Sequence, residues 1–149
     1  MSGLQLGPLR EAIADQIRQY VARGTHVAPY QIGDEYPMIE VRPGEGLYVD
    51  YTDTFGAAGY AEVHLDIVII CRGGGLEDNQ RALDDYLSMG TGNGSGVVEA
   101  LNSAELNGLC DDIRGEDGRI QAVDVTVTSE QASARIPIVV IVKKVGATV

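Results

Sequence analysis

The chain has 149 residues and a formal net charge of −11, and 44% of its residues are hydrophobic, as in an ordinary soluble protein. No apolar run approaches the roughly 20 residues of a membrane span. Tight binding of DNA needs a basic face, and the basic residues form no cluster beyond Lys143-Lys144, so the composition disfavours that role.

Hydrophobic periodicity predicts the elements of the first third of the chain. Leu9, Ile13 and Ile17 recur at helical spacing and predict a helix over residues 8–23, with Gly24 as its cap. Shorter segments follow in chain order: an irregular connection at 25–34, a strand at 37–41, a turn at 42–46 and a strand at 47–51.

The clearest strand covers residues 59–71. His64 and Asp66 share one face of it, which turns apolar at Val68 and Ile70. Such a strand lies inside a sheet, with one side covered and the other partly covered. The opposite, wholly apolar face carries Val63, Leu65, Ile67, Ile69 and Cys71.

Two helices and two strands are predicted after this strand. A helix spans 77–88, a shorter one begins at Val97, and a polar turn at 111–118 leads to strands at 119–128 and 132–144. The first helix buries Leu76, Leu83, Tyr86 and Leu87 in this interpretation, and the strand at 119–128 turns Val123, Val125 and Val127 inward.

Pro137 has no N–H for a sheet ladder, so its position predicts a sheet edge or a bulge. The order of elements predicts an α+β fold: a mainly antiparallel mixed sheet with helices packed on one face, in a single domain over 1–149. The expected core includes Ile67, Ile69, Leu83, Leu87, Leu101 and Val125.

Four glycines fall between positions 90 and 96. A dinucleotide fingerprint fails because Ser95 stands where the third glycine belongs, and a P-loop fails because no lysine precedes Lys143. The run is instead a joint between two helices: Gly90 can cap the first and Ser95 can begin the second.

The sequence offers no catalytic constellation. His26 and His64 have no metal-ligand spacing, and His64 with Asp66 is best interpreted as the polar face of a strand. Cys71 and Cys110 are predicted to be free thiols. We therefore expect no catalytic residues, no cofactor and no metal, and the acidic doublets lack the closing glutamate of a calcium loop.

Five segments together resemble the tail terminator (tail completion) proteins of long-tailed bacteriophages. The most telling segment has a small-residue turn, a short helix and Leu-x-Gly-Leu ahead of the final strands. In chain order the segments are "PLREAIADQIRQYV", "APYQIGDEYPMIEVRPG", "YAEVHLDIVIICRG", "EDNQRALDDYLS" and "GSGVVEALNSAELNGLCDDI".

This resemblance implies a non-enzymatic structural protein of the virion, located at the tail–neck junction and in the host cytoplasm during assembly. Copies of the chain, usually six, form a ring that caps the tail tube protein and meets the head-side connector or stopper protein. An acidic lumen lets genomic DNA pass without specific binding, and no membrane is involved.

The predicted assembly interface combines two loops. They are the end of the second strand with the loop after it, and the glycine run. The residues are Tyr51, Thr52, Asp53, Thr54, Phe55, Gly56, Gly59, Ser88, Met89, Gly90, Gly92, Asn93, Gly94 and Ser95. Two alternatives stay open: another head–tail joining protein, such as an adaptor or stopper, and a small-ligand-binding α/β module.

Overall fold

The computed structural model describes residues 4–30, 33, 35–51, 60–88, 96–102, 110, 112–115 and 118–143. Three helices lie in these residues, together with strands that form one sheet. The helices are α1 Leu6–Arg18, α2 Gly75–Leu87 and α3 Val97–Asn102. The strands are β1 His26–Ala28, β2 Met38–Pro43, β3 Val49–Tyr51, β4 Tyr60–Arg72, β5 Asp112–Arg114, β6 Val123–Val127 and β7 Gln131–Lys143.

The centre of the sheet is the antiparallel pair of β4 and β7, which are paired from Tyr60↔Lys143 to Arg72↔Gln131. β2 and β3 follow one another along the free side of β4, and β5 and β6 do the same along β7. β1 adds the one parallel pairing, to β2. The predicted α+β fold with a mainly antiparallel mixed sheet is confirmed.

The core lies between the helices and one face of the sheet. The apolar face of β4 packs there as the two-residue alternation predicted, and Ile67 and Ile69 are fully buried. From the helices, the largest buried side chains in this layer are Leu9, Ile13 and Ile17 of α1, Leu83 and Tyr86 of α2, and Leu101 of α3. The helices therefore pack on one face, as expected.

α1 is shorter than its apolar pattern suggested and ends at Arg18 rather than at residue 23. The chain must turn back after it to place β1 beside β2. Gly24 contributes to this turn with a φ of +92°, a value that disfavours residues with a Cβ. The guanidinium of Arg18 donates to the carbonyl of Val27 at 2.7 Å, which fastens the end of α1 to β1.

The expectation that α2 buries Leu76 is wrong, because this side chain is 51% exposed. Asn79, just after the first turn, is buried instead. It accepts a hydrogen bond from the Gly74 N–H at 3.1 Å and donates one to the Glu130 carbonyl at 3.2 Å. Polar contacts, rather than apolar ones, thus fix the start of the helix. Leu87 is only partly buried at the other end.

The expectation that the valines of β6 face the core is also wrong. Val125 is 55% exposed and Val127 is 43% exposed. β6 is bulged between Val123 and Thr126, and Asp124 has a φ of +52° there. The bulge breaks the alternation, because Val123 is paired with Arg135 and Val127 with Ala132, which lie on opposite faces of the sheet. β6 also lies at the edge of the sheet. Val125 is therefore not part of the core.

Pro137 lies in the middle of β7, which has strand partners on both sides, so the predicted edge position for this strand is wrong. The requirement that no neighbouring strand needs an N–H from Pro137 is met in another way. Pairing with β6 ends at Arg135 and pairing with β5 begins at Val139. Pro137 falls in the gap between these two short strands, where no ladder hydrogen bond from its nitrogen is needed.

Candidate assembly surface

β3 brings Tyr51 to one edge of the sheet, at the far side of β4 from β7. Between β2 and β3 the chain leaves the ladder for a short excursion over His64. The Gly44 N–H donates to the His64 carbonyl at 2.8 Å, and the His64 N–H donates to the Tyr48 carbonyl at 2.7 Å. A Cβ on Gly44 would lie 2.9 Å from the Leu47 carbonyl oxygen, so only glycine fits. This tight loop holds β3 in place and leaves Tyr51 57% exposed.

Ser88, the other described residue of the predicted interface, lies at the C-terminal end of α2 and is half-buried. Its hydroxyl donates to the Asp84 carbonyl at 2.7 Å, so it caps the last turn of the helix. The remaining residues of that interface lie outside the described part of the chain: Thr52, Asp53, Thr54, Phe55, Gly56, Gly59, Met89, Gly90, Gly92, Asn93, Gly94 and Ser95.

A buried arginine joins α1 to the β3 edge. Arg10 is 7% exposed and donates to the carbonyls of Pro29 at 2.9 Å and Val41 at 2.6 Å, and to the Tyr48 hydroxyl at 3.2 Å. Its guanidinium carbon lies 4.2 Å from the ring centroid of Tyr30, in cation–π contact. In the sequence, nothing separates Arg10 from the exposed Arg18 of the same helix, so its burial could not be predicted.

The opposite edge of the sheet carries β5 and β6. In β5, Ile113 packs against the core, while Asp112 and Arg114 are exposed and joined at 3.1 Å. Residues 111–118 were expected to form a polar turn, so β5 was not predicted. β1, within the connection predicted to be irregular, was missed for the same reason: a three-residue strand is too short for periodicity to show.

Charged side chains are paired on the sheet face that points away from the helices. Asp66 is 4% exposed and accepts a hydrogen bond from Arg135 at 3.1 Å. Arg135 also donates to Asp124 at 2.8 Å. The hydrogen bond to Asp124 and, to a smaller extent, the contact with Asp66 raise the pKa of the Arg135 guanidinium. Glu40 is fully buried and accepts from Arg42 Nε at 2.8 Å. The pairing offsets the cost of burying two carboxylates, which is a structural role.

His64, the histidine on this face, has no catalytic geometry. Its Nε2 is buried without a hydrogen-bond partner in the described part of the chain, and the Glu62 carboxylate lies 3.7 Å from it. Asp66, the neighbour considered as its partner, is engaged by Arg135. Cys71 lies on the helix side, where burial raises the pKa of its thiol to about 11 and keeps it protonated at neutral pH.

The depressions of the described surface include two open ones. One, of about 560 Å³, is lined by α3, β5 and residues 118–120, and the other, of about 520 Å³, runs along α2. The described residues that line them include no histidine, cysteine or serine, so no nucleophile and base meet there. Nor do three histidine, cysteine or acidic side chains of the described ranges cluster closely enough to hold a metal ion.

The described helices are all too short or too polar to cross a membrane. A comparison of the chain with models of known protein families finds no match, and a search of the curated proteins finds none either. The surface geometry is therefore the basis for a functional proposal. It has an exposed edge strand on each side of one sheet, with strong negative charge across the chain.

Proposed function

We propose that this chain is the tail terminator of a long-tailed bacteriophage. Copies of it form a ring, of six in the form the resemblance implies, on the last layer of the tail tube. The ring ends tube polymerisation and offers its other face to the head-side connector or stopper protein. The protein acts by occupying the end of the tube and performs no chemistry.

The observation that carries this proposal is the shape of the sheet. β3 lies at one edge, β5 lies at the other, and both present exposed side chains. A closed ring requires each copy to offer two different surfaces that meet head to tail. A sheet with a distinct exposed strand at each edge meets that requirement within one domain. The five segments that carry the resemblance contain β2, β4, α3 and most of α1 and α2.

The net charge of −11 fits the same role. The genome leaves the head through the tail, and a ring around that path must not retain it. Negative potential repels the phosphate backbone, so a ring of acidic copies lets DNA pass.

The test is deletion of the gene from the phage that encodes this chain, with electron microscopy of the resulting particles. We expect tails of excessive or uneven length and tails that are not joined to heads. The wild-type gene supplied from a plasmid should restore uniform, joined tails. Normal tail length and normal joining after deletion would contradict the terminator proposal. Tails of normal length that fail to join heads would instead favour an adaptor or stopper role.

A further inference from the structure

Hydrogen-bond registers place β3 and β5 on the same row of the sheet. Asp50 of β3 is paired with Glu62 of β4, Glu62 with Ile141 of β7, and Ile141 with Asp112 of β5. These four residues form one line across the sheet from edge to edge. The two edge strands, three residues each, therefore lie at the same height on opposite sides of the domain.

The two strands also run in opposite directions. β3 is antiparallel to β4, β4 is antiparallel to β7, and β7 is antiparallel to β5. If a second copy stands beside the first in the same orientation, β5 of one copy meets β3 of the next as an antiparallel pair. This is the geometry that allows edge-to-edge pairing to continue a mainly antiparallel sheet.

Side-chain faces match across such a junction. Ile113 is paired with Val140, and Tyr51 is paired with Ala61, so both point to the helix side of the sheet. Asp50 and Arg114 both point to the opposite side. The pairing of the two strands can be shifted by two residues from the register in which Asp112 lies opposite Asp50. This shift keeps every side chain on its own face of the sheet. It sets Ile113 opposite Tyr51 and Arg114 opposite Asp50.

We propose that the sheet continues from β5 of one copy into β3 of the next, with Ile113 opposite Tyr51 and Arg114 opposite Asp50. The proposal rests on the ring put forward above and identifies its subunit contact. An aliphatic–aromatic pair and an opposite-charge pair are both favourable across antiparallel strands, whereas the unshifted row sets Asp112 against Asp50. The two-residue shift also displaces neighbouring strands along their length, and a sheet needs such a stagger to close on itself. The rest of the roughly 800 Å² that a stable contact buries per copy comes from the surrounding surface.

β6 is the other edge strand that could pair with a neighbouring copy, because it exposes two apolar side chains, Val125 and Val127. The strand on the same row as β6 at the opposite edge of the sheet is β1, because successive strand pairings join Thr126 to His26. The edge of β1 is closed, since the Val27 carbonyl already accepts from Arg18. The bulge at Asp124 further interrupts the edge of β6. A bulge is one of the features by which proteins prevent edge pairing.

The experiment reverses charges across the proposed contact in the full-length chain. Arg114→Glu and Asp50→Arg are made singly and together. Arg81→Glu is the matched control, since Arg81 is exposed on α2 and pairs only with Glu77 among the described residues. Self-association is measured by native mass spectrometry and sedimentation, alone and with tail tube protein. Circular dichroism and melting temperature verify that each variant is folded.

We expect each single reversal to weaken self-association at least tenfold, because it sets like charges against each other in every contact. The double reversal should recover to within about threefold of the wild type, since the opposite-charge pair is restored with its partners exchanged. Arg81→Glu should associate as the wild type does.

A second arm tests whether the contact is head to tail. Tyr51→Asp impairs only the β3 edge and Arg114→Glu only the β5 edge, so a mixture of the two variants retains one intact contact. We expect that mixture to give a dimer of unlike chains and nothing larger. An isologous contact of identical edges would instead give no recovery on mixing.

Three results overturn the strand pairing. They are single variants that associate as the wild type does, a double reversal that stays as weak as the singles, and a wild type that is monomeric even with tube protein. The first two results leave the ring itself standing, whereas a wild type that is monomeric even with tube protein also counts against the ring; the tail-length test judges the terminator role separately. Conversely, confirmed pairing together with normal tails after gene deletion leaves the contact standing and overturns the terminator proposal.

Discussion

At the residue scale, burial perturbs the thiol of Cys71, at the end of the apolar face of β4. The side chain is 1% exposed, and burial raises its pKa from an ordinary 9.0 to about 11. Burial also raises the pKa of Tyr86, whose hydroxyl lies 2.6 Å from that of Thr25. In both groups the folded protein favours the protonated form.

This shift predicts the alkaline limb of the stability curve. A raised folded-state pKa contributes stability that is complete below the unfolded-state pKa and is lost as the pH rises through the folded-state value. We expect the free energy of unfolding to fall between pH 9 and pH 11, by about 2 kcal/mol from Cys71. Urea unfolding at a series of pH values measures it. Cys71→Ala should flatten the slope by the part due to this thiol, and an unchanged slope would contradict the assignment.

At the element scale, the same residue type has different roles in two strands. Val63 of β4 is fully buried between the helices and the sheet, whereas Val125 of β6 is 55% exposed. Both were expected to face inward because they lie in alternating apolar patterns. Alternation marks one face of a strand but does not show whether anything covers that face.

The two valines make a matched pair for mutation. Val63→Ala removes two buried methyl groups and leaves a cavity, so we expect a loss of about 2 kcal/mol in the free energy of unfolding. Val125→Ala should change it by less than about 0.5 kcal/mol, as at other surface sites. Chemical denaturation of both variants provides the comparison, and equal losses would mean that β6 is covered.

The longer elements could be predicted from sequence, whereas the three-residue strands β1 and β5 could not; β3, of the same length, lies within the strand predicted at 47–51. The 13-residue strands β4 and β7 and the helices α1 and α2 each repeat their period often enough to be recognised. β1 and β5 have three residues each and are strands only because a neighbour pairs with them. Surface contacts are the hardest to predict for this reason: of the residues in the proposed strand pairing, only Tyr51 was predicted from the sequence to be at an interface. Ile113, Arg114 and Asp50 acquire meaning only from the registers that align them.

At the scale of the whole molecule, the net negative charge opposes binding to DNA. The chain carries 22 acidic side chains against 11 basic ones, and several of the basic ones are held in ion pairs with Asp66, Glu40 or Glu77. No counterions are released when such a surface approaches a phosphate backbone.

We therefore expect no retardation of duplex DNA in an electrophoretic mobility assay at roughly 0.15 M salt, the physiological level. The same result is expected at lower salt, where repulsion between like charges reaches further. A retarded band at micromolar protein would show a basic surface that the described residues do not present. A basic DNA-binding domain of similar size is the positive control.

The pairing of β4 with β7 also governs when a copy becomes competent during its synthesis. β4 lies in the middle of the chain, but its partner over all 13 residues emerges from the ribosome only after α2, α3, β5 and β6. Contacts so distant in sequence form slowly, because a long loop must close before they are gained. Until β7 has been made, β5 has no strand to lie against, and the edge proposed to meet a neighbour does not exist. If the proposed ring forms, a nascent chain is thus unable to join it, and only finished copies take part.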